Sequence, residues 1–391
     1  MNILFGLLSL TILLLIAFLL SEHKKQIKLQ TIIAGILMQI ALIFFVIKIP
    51  IGQTILQSMA NGVDRIIQLG MEGVNFVFGG ISENFVFAIN VLSLIIFTSA
   101  LISVLYYFKI IPLLIRIIGK AISLLMGTTQ AETFSTVANS FLGGTEAPLV
   151  IKPFIPNLTR SELFAVMAGG FGSASAAILA GYALMGIDMK YLLIAVFTVP
   201  FSCLMIAKIM IPETEESKTN NIELNANDTE SIFEAISEGT SNGLGLAMNV
   251  GAILISFIGL IAVANAFLGI FNTDISTLLG FIFLPFGYLF NIPADEVMTF
   301  ASLVGSKFGI NEFVAYGELV EVMDQLSPRT VGILSVVLCN FANISTIGIQ
   351  IGGFSSFAPT RKKEVAKLGV RALIAGTIAT LTTGAIVGMF L

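Results

Sequence analysis

Residues 138–149 read ANSFLGGTEAPL, and this stretch decides how the chain folds. A glycine pair, a glutamate and a proline fall within residues 143–148, and proline interrupts the hydrogen-bond ladder of a helix. The charged residues on either side, Glu132 and Lys152, leave room for one membrane crossing at most. The pattern predicts a re-entrant hairpin that enters the membrane, turns at the glycine pair and leaves on the same side. Non-helical backbone at that depth is tolerated only where it lines an enclosed cavity.

A second stretch, residues 302–316 (SLVGSKFGINEFVAY), has the same ingredients: glycines, a polar residue, a glutamate and an apolar exit. The segments that come after the two stretches match as well. The first stretch leads to Arg160 and then to 171–176 (FGSASA), and the second to Arg329 and then to 341–346 (FANIST). The two halves run in opposite directions in the predicted topology. An inverted repeat with interrupted helices is typical of secondary transporters, whose binding sites lie near the middle of the membrane.

The composition of the 391 residues excludes a soluble protein. Charged residues make up 11% of the chain and apolar types 56%, with a mean hydropathy of +0.97. A soluble protein carries about 25% charged residues. The net charge is −4, and the sequence contains no basic stripe that could bind nucleic acid. His23, the only histidine, lies in a charged loop, and Cys203 and Cys339 lie in apolar runs, so neither a histidine relay in the membrane nor a disulfide is expected.

Eight charge-free windows are long enough to cross a bilayer, which takes about 20 apolar residues. They are 3–20, 29–47, 84–108, 163–187, 191–207, one within 239–273, 330–360 and 372–391. Three further helical stretches are predicted to lie in the membrane interface instead: 51–72, 110–126 and 277–292. The sequence therefore predicts an all-α polytopic membrane protein of eight transmembrane helices and two re-entrant helical hairpins in an inverted repeat, with interfacial helices.

The placement of positive charge predicts the orientation. The basic loop 22–28 is expected in the cytoplasm, which puts both termini outside in a multi-pass bacterial cytoplasmic membrane protein. Lys152, Arg160 and residues 361–363 then also fall inside. The acidic stretch 212–230 becomes a cytoplasmic loop between the two halves.

Glu146 and Glu312 are the residues most indicative of function, because a carboxylate inside a membrane needs a partner or a ligand. Each could instead be a structural partner of Lys152, Arg160 or Lys307. A membrane-embedded enzyme with an acid–base pair is a further alternative, as is an ion channel. The membrane segments hold no histidine, no clustered aspartates and no nucleophile beside a base, which disfavours an enzyme. An inverted repeat within one chain suits alternating access better than a symmetric pore.

At three motifs the sequence resembles the concentrative nucleoside transporters of the bacterial nucleoside permease type: 143–149 (GGTEAPL), 311–316 (NEFVAY) and 341–346 (FANIST). The resemblance covers nearly the whole chain. It implies a homotrimer in membrane lipid that imports nucleosides by an elevator-type motion, coupled to sodium or to protons, with no other cofactor and no nucleic acid partner.

The resemblance also implies a division into scaffold and transport parts. Residues 1–109 would form scaffold helices with an outer amphipathic helix, and 110–211 the first transport repeat. Residues 212–246 would be a cytoplasmic acidic loop with an interfacial helix. Residues 247–273 would form a scaffold helix at the trimer contact, and 274–391 the second transport repeat.

Carried over by motif, Gly144, Thr145 and Glu146 would face the nucleobase, with Ile178 a further substrate contact. Glu312, Asn343 and Thr346 would hold the ribose beside an apolar wall at Phe341. Ribose hydroxyls are donors that suit a carboxylate and an amide. Two departures bear on specificity: the family usually has glutamine where Gly144 stands, and often serine where Thr346 stands.

The coupling ion is predicted from the same resemblance. In sodium-coupled members the ion lies between the first hairpin tip and the break in the following span, where Asn139, Leu142, Ser173 and Ala174 stand here. Proton-coupled members tend to lack the asparagine, so sodium is predicted. A proton-coupled symporter of the same fold is the alternative.

Overall fold

The computed structural model describes residues 2–83, 85–144, 146–222, 230–271 and 273–391. Every regular element in these ranges is helical, as the composition predicts. Sixteen α-helices follow one another in these ranges: α1 Asn2–Leu19, α2 Leu29–Lys48, α3 Pro50–Phe78, α4 Phe87–Tyr107, α5 Ile110–Met126, α6 Gln130–Ala138, α7 Arg160–Gly172, α8 Ala176–Leu184, α9 Met189–Met210, α10 Ile232–Leu268, α11 Ile275–Leu289, α12 Val297–Gly309, α13 Glu312–Val322, α14 Pro328–Val337, α15 Ile344–Phe357 and α16 Lys362–Phe390.

The eight predicted transmembrane helices are all present, two of them in halves. Among the described residues, seven helical segments are long and apolar enough to cross a membrane by length and composition, including Arg160–Leu184, which is interrupted between α7 and α8. The eighth consists of α14 and α15, each too short to span alone. The last helix starts at Lys362, ten residues before the predicted span, because its charged first turns continue the helix beyond the apolar stretch.

The two termini lie at the same end of the molecule, which an even number of crossings requires. The space beside Gly6 on α1 is filled by the Met389 side chain and by the backbone of Ala385, both near the end of α16. At the other end of these two helices, the guanidinium of Arg371 donates to the carbonyl oxygen of Leu20 at 2.6 Å. We call the first of these the terminal end and the second the basic end.

Charged side chains predicted to share one side of the membrane do meet at the basic end. Arg160 pairs with Glu22 at 2.8 Å, and Arg371 approaches the same carboxylate at 3.2 Å. The hydrogen bond from Arg160 holds the pKa of Glu22 below its ordinary value. Arg361 donates to the carbonyl of Leu158 at 2.7 Å, beside the start of α7. Residues far apart in sequence thus form one cluster of ion pairs and carbonyl contacts.

Arg329 lies at the opposite, terminal end and has a different role. Its guanidinium donates to the carbonyl oxygens of Phe290, Asn291 and Gly388 at 2.9–3.0 Å. Because α7 starts at the basic end and α14 starts at the terminal end, the two repeats run in opposite directions. The inverted repeat predicted from the sequence is therefore present.

The remaining helices surround this bundle. Helix α5 has the bounds predicted for an interfacial helix, 110–126, and α3 and α11 correspond to the other two predicted stretches. Helix α10 runs unbroken over 37 residues, so the interfacial helix predicted within 212–246 and the span predicted at 247–273 are parts of one helix. Its Gly239 and Gly243 pack directly on Ser103 and Ile96 of α4. This close packing of the two helices stabilises α10 around these glycines.

Candidate functional site

Two interrupted spans meet near the centre of the molecule. Helix α7 ends at Gly172 and α8 begins at Ala176, while α14 ends at Val337 and α15 begins at Ile344. The backbone N–H of Phe341, in the second break, donates to the carbonyl oxygen of Ser173, in the first, at 3.2 Å. This bond joins the two repeats and satisfies backbone groups that water cannot reach at membrane depth.

Both predicted hairpins are present and their tips face these breaks. Hairpin 1 (residues 130–157) consists of α6, a turn, and the 3₁₀-helical segment Ala147–Asn157. Hairpin 2 (residues 297–322) consists of α12, a break at Ile310 and Asn311, and α13. In hairpin 2, the side chain of Asn311 caps α13 by accepting from the N–H of Val314 at 3.0 Å.

The hairpin tips, the two breaks and α10 enclose a cavity of about 550 Å³, which we call the central cavity. It is lined by every described residue of the predicted substrate set: Gly144, Glu146, Ile178, Glu312, Phe341, Asn343 and Thr346. Thr145, the remaining member, lies outside the described residues. The structure therefore brings together side chains from four separate parts of the sequence.

Glu312 and Asn343 organise one wall of the central cavity. Glu312 is 4% exposed, and the Asn343 amide donates to its Oε2 at 3.2 Å. The Asn343 Oδ1 accepts from the N–H and the hydroxyl of Thr346 at 3.0 and 2.9 Å, and so caps α15. The positive end of that helix therefore points at the cavity, next to a carboxylate that retains acceptor capacity.

Neither glutamate is bound to a cationic side chain. Among the described residues, no lysine or arginine lies within the 4 Å of an ion pair from Glu146 or Glu312. Arg160, one of the three proposed partners, pairs with Glu22 instead. Lys307 is buried in hairpin 2 and forms no ion pair with any of the described residues. The alternative that these carboxylates serve as structural partners of a lysine or arginine therefore lacks the ion-pair contact that it requires.

The residues predicted to hold sodium lie behind the hairpin 1 tip. Asn139 is fully buried, and its Nδ2 donates to the carbonyl of Ser135 at 3.0 Å, while its Oδ1 has no hydrogen-bond partner within the described ranges. Asn139 lies against Gly169, whose carbonyl accepts from the Ser173 hydroxyl at 2.7 Å. Leu142 closes the same turn of hairpin 1, and Ala174 follows Ser173 in the break. A buried amide oxygen without a partner suits a hard cation, because such ions prefer oxygen ligands.

Several cavity residues were not predicted. Gln350 lines the cavity from α15, and Asn242 and Asn249 line it from α10. A signal for each exists in the sequence. Gln350 follows Thr346 by one helical turn and is the only amide side chain in the sequence of α15, and Asn242 and Asn249 are seven residues apart on one face of a span. Polar side chains on one face of a membrane helix indicate a functional surface.

Three family descriptions match consecutive parts of the chain. Residues 8–81 match "Na+ dependent nucleoside transporter N-terminus", residues 88–189 match "Nucleoside recognition", and residues 191–388 match "Na+ dependent nucleoside transporter C-terminus". The sequence is 40% identical over 404 residues to the uncharacterized transporter YutK of Bacillus subtilis, with 100% of both chains covered. It is 37% identical over 412 residues to the nucleoside permease NupC of Helicobacter pylori, covering 99% of this chain and 98% of that one.

Solved structures of one protein, CNTnw, resemble the whole chain. An inward-facing, substrate-bound state of that protein has a TM-score of 0.97 at 39% identity and covers 100% of this chain and 99% of its own. An outward-facing state of a CNTnw variant has a TM-score of 0.95 at 38% identity, covering 100% and 98%.

The base of hairpin 1 is held by a buried ion pair. Lys208 at the end of α9 lies 2.6 Å from Oε2 of Glu132 and donates to the Ser161 hydroxyl at 2.9 Å. Glu132 also accepts from the N–H of Thr129 at 2.9 Å, which caps α6. Hairpin 1 is therefore fixed to α7 and α9 at the basic end, while its tip lies at the central cavity.

We expect the substitution Lys208→Met to destabilise the protein, because it leaves the Glu132 carboxylate buried without its counter-charge, which costs about 3–5 kcal/mol. Thermal unfolding in detergent measures the loss. Lys190→Met is the matched control, since Lys190 lies on the same helix and forms no ion pair with the described residues. The double variant Glu132→Gln/Lys208→Met should regain part of the stability. Equal stability of Lys208→Met and Lys190→Met would contradict the expectation.

Proposed function

The chain belongs to the Na+ dependent nucleoside transporter family, and we propose that it is a sodium symporter that imports nucleosides. It is a membrane transporter for nucleosides and not an enzyme. The proposed refinements concern the coupling ion, the residues that hold the substrate, the motion and the assembly.

The observation that carries the proposal is the shared central cavity of Glu146 and Glu312, which come from hairpins of opposite orientation. We place the ribose at Glu312, Asn343 and Thr346, because two vicinal hydroxyl donors match a carboxylate and an adjacent amide and hydroxyl. Phe341 offers an apolar wall to the sugar and base. The nucleobase then extends toward Glu146 and Ile178. With a volume of about 550 Å³, the cavity is within the range of small-molecule sites.

We propose sodium as the coupling ion, bound by the oxygen groups around Asn139 and Ser173. The buried, unpartnered Oδ1 of Asn139 supports this, because a buried acceptor without a partner is costly unless something binds it. The ion would bridge hairpin 1 and the break after α7. Substrate and ion would therefore stabilise the same arrangement of the hairpin tip, which is the physical requirement for coupling.

We further propose an elevator-type motion of the two repeats against a scaffold. Helices α4 and α10 pack along each other, whereas α1 and α2 pack on α9 and α16. These contacts favour counting α1 and α2 with the moving part, although the predicted division groups them with α4 in residues 1–109. The orientation with the basic end in the cytoplasm and both termini outside stays a prediction.

Substituting Glu312 by glutamine should reduce nucleoside uptake into proteoliposomes by about 10- to 100-fold, because it removes charged hydrogen bonds worth about 1.5–3 kcal/mol. Glu321→Gln is the matched control, on the same helix but exposed. The wild type should also discriminate against 2′,3′-dideoxynucleosides, and the Glu312 variant should not. Unchanged uptake by a folded Glu312→Gln protein would refute the ribose assignment.

Asn139→Ala should abolish the stimulation of uptake by a sodium gradient at fixed pH, since it removes the amide oxygen that we assign to the ion. Asn61→Ala, on the exposed face of α3, should leave the stimulation unchanged. Nucleoside binding without sodium should persist in both variants. Full sodium dependence in Asn139→Ala would end the assignment, and uptake driven by a proton gradient in sodium-free medium would favour the proton-coupled alternative.

A homotrimer, with α10 at the contact, is the assembly that we propose from the family resemblance. Helix α10 presents large apolar side chains outward, among them Met248 and Ile255, 66% and 79% exposed in the single chain. Native mass spectrometry of the detergent-purified protein should show three copies. A monomer across the accessible concentration range would rule the assembly out.

A further inference from the structure

The tip of hairpin 1 presents no side chain to the substrate at Gly144, and the packing does not allow one. A Cβ atom on Gly144 would lie 2.6 Å from the carbonyl oxygen of Gly170, closer than real Cβ contacts come. The atom in the way belongs to the backbone, which cannot move away as a flexible side chain could. Position 144 therefore offers no side-chain hydrogen bond to a nucleobase, and neighbouring groups must supply one.

Gln350 on α15 supplies an amide at this place. It is 1% exposed and lines the central cavity together with Gly144 and Gly170. Its Nε2 lies 2.5 Å from where a Cβ of Gly170 would stand, and the carbonyl oxygen of Gly144 lies 3.2 Å from the same point. The Gln350 amide and the hairpin 1 tip thus meet at the bare backbone of Gly170.

The hydrogen bonding of this amide is incomplete. Among the residues that the structure describes, Nε2 has one long contact, 3.4 Å, to the carbonyl of Met167, and Oε1 has no partner. A buried amide oxygen without a donor is unfavourable, and a ligand that brings a donor relieves that cost. The buried Gln39 also has an Oε1 without a partner among the described residues, but its Nε2 is held within the protein by bonds to the hydroxyls of Ser202 and Thr383 at 2.8 and 2.7 Å.

We propose that Gln350 is the specificity-determining residue for the nucleobase: its Oε1 accepts from an exocyclic amino group or a ring N–H, and its Nε2 donates to the neighbouring acceptor on the base. This inference rests on the proposed function. Gln350 follows Thr346 by one turn of the same helix, so α15 holds the sugar at its first turn and reads the base at its second. Recognition of the base is thereby shared between Glu146 on hairpin 1 and Gln350 on the interrupted span.

The structural alternative is that Gln350 only ties α15 to α7 through Met167. The two interpretations differ in the transport property that a substitution would change. Loss of a structural tie would weaken transport of all nucleosides and analogues alike. Loss of a base contact would alter the ranking of bases and leave recognition of the ribose intact.

The test compares each nucleoside with an analogue that lacks the base donor: adenosine with purine riboside, cytidine with pyrimidin-2-one riboside, and uridine with 3-methyluridine. Competition for uptake is measured in proteoliposomes of the full chain. For the nucleoside that the wild type transports best, we expect a preference of about 10- to 100-fold over its analogue. In Gln350→Met, which keeps the side-chain length, the preference should fall below about 3-fold, while discrimination against the 2′,3′-dideoxynucleoside persists.

Gln39→Met, another buried glutamine replaced outside the central cavity, should keep the wild-type preference. If folded Gln350→Met retains the preference for the nucleoside over its analogue, the inference is overturned. It is also overturned if the wild type transports both members of every pair equally well, which can be measured without any variant. Equal losses for ribose and base analogues would also overturn it in favour of the structural tie. A wild-type protein that transports no nucleoside would overturn the proposed function itself, so the two failures are distinguishable.

Discussion

The structure depends on one constraint: a backbone that leaves the helical conformation inside a membrane must find hydrogen-bond partners within the protein. The bond from the N–H of Phe341 to the carbonyl of Ser173 meets this requirement where two interrupted spans cross. Asn343 meets it at the start of α15 by accepting from Thr346. The first of these bonds connects one repeat to the other, so the breaks that make room for a ligand also hold the two repeats together.

The same breaks explain how a membrane protein can hold two carboxylates near its centre that form no ion pair with the part of the chain that the structure describes. Each glutamate lies at a hairpin tip, where non-helical backbone and helix N-termini replace water as the polar surroundings. Glu312 is bonded to the Asn343 amide and keeps acceptor sites open. When the site is empty, its buried acceptors lack hydrogen-bond donors, which is unfavourable. A bound ligand with hydroxyl groups supplies those donors and so stabilises this arrangement of the protein over others, as a transport cycle requires.

The two walls of the central cavity differ in what they can recognise. The wall built by hairpin 2 and α15 is rich in acceptors and suits a sugar. The wall at the hairpin 1 tip is bare backbone at Gly144 and Gly170, with the Gln350 amide beside it. Helix α10 closes the third side with Asn242 and Asn249. If α10 belongs to the scaffold, the substrate lies between a fixed and a moving surface, as an elevator-type motion requires.

Hydropathy, glycine, proline and charge are enough to predict the spans, the two hairpins and the inverted repeat, because these properties act locally and are visible within a window of about 20 residues. It also singled out Glu146 and Glu312, since a carboxylate in an apolar segment stands out without knowledge of its neighbours. Three features are visible only in the folded protein: Gln350 reaches the hairpin 1 tip, Gly144 admits no side chain, and Lys208 pairs with Glu132. Each of these depends on backbones brought together from distant parts of the chain, and close packing of that kind leaves no periodic signal in the sequence.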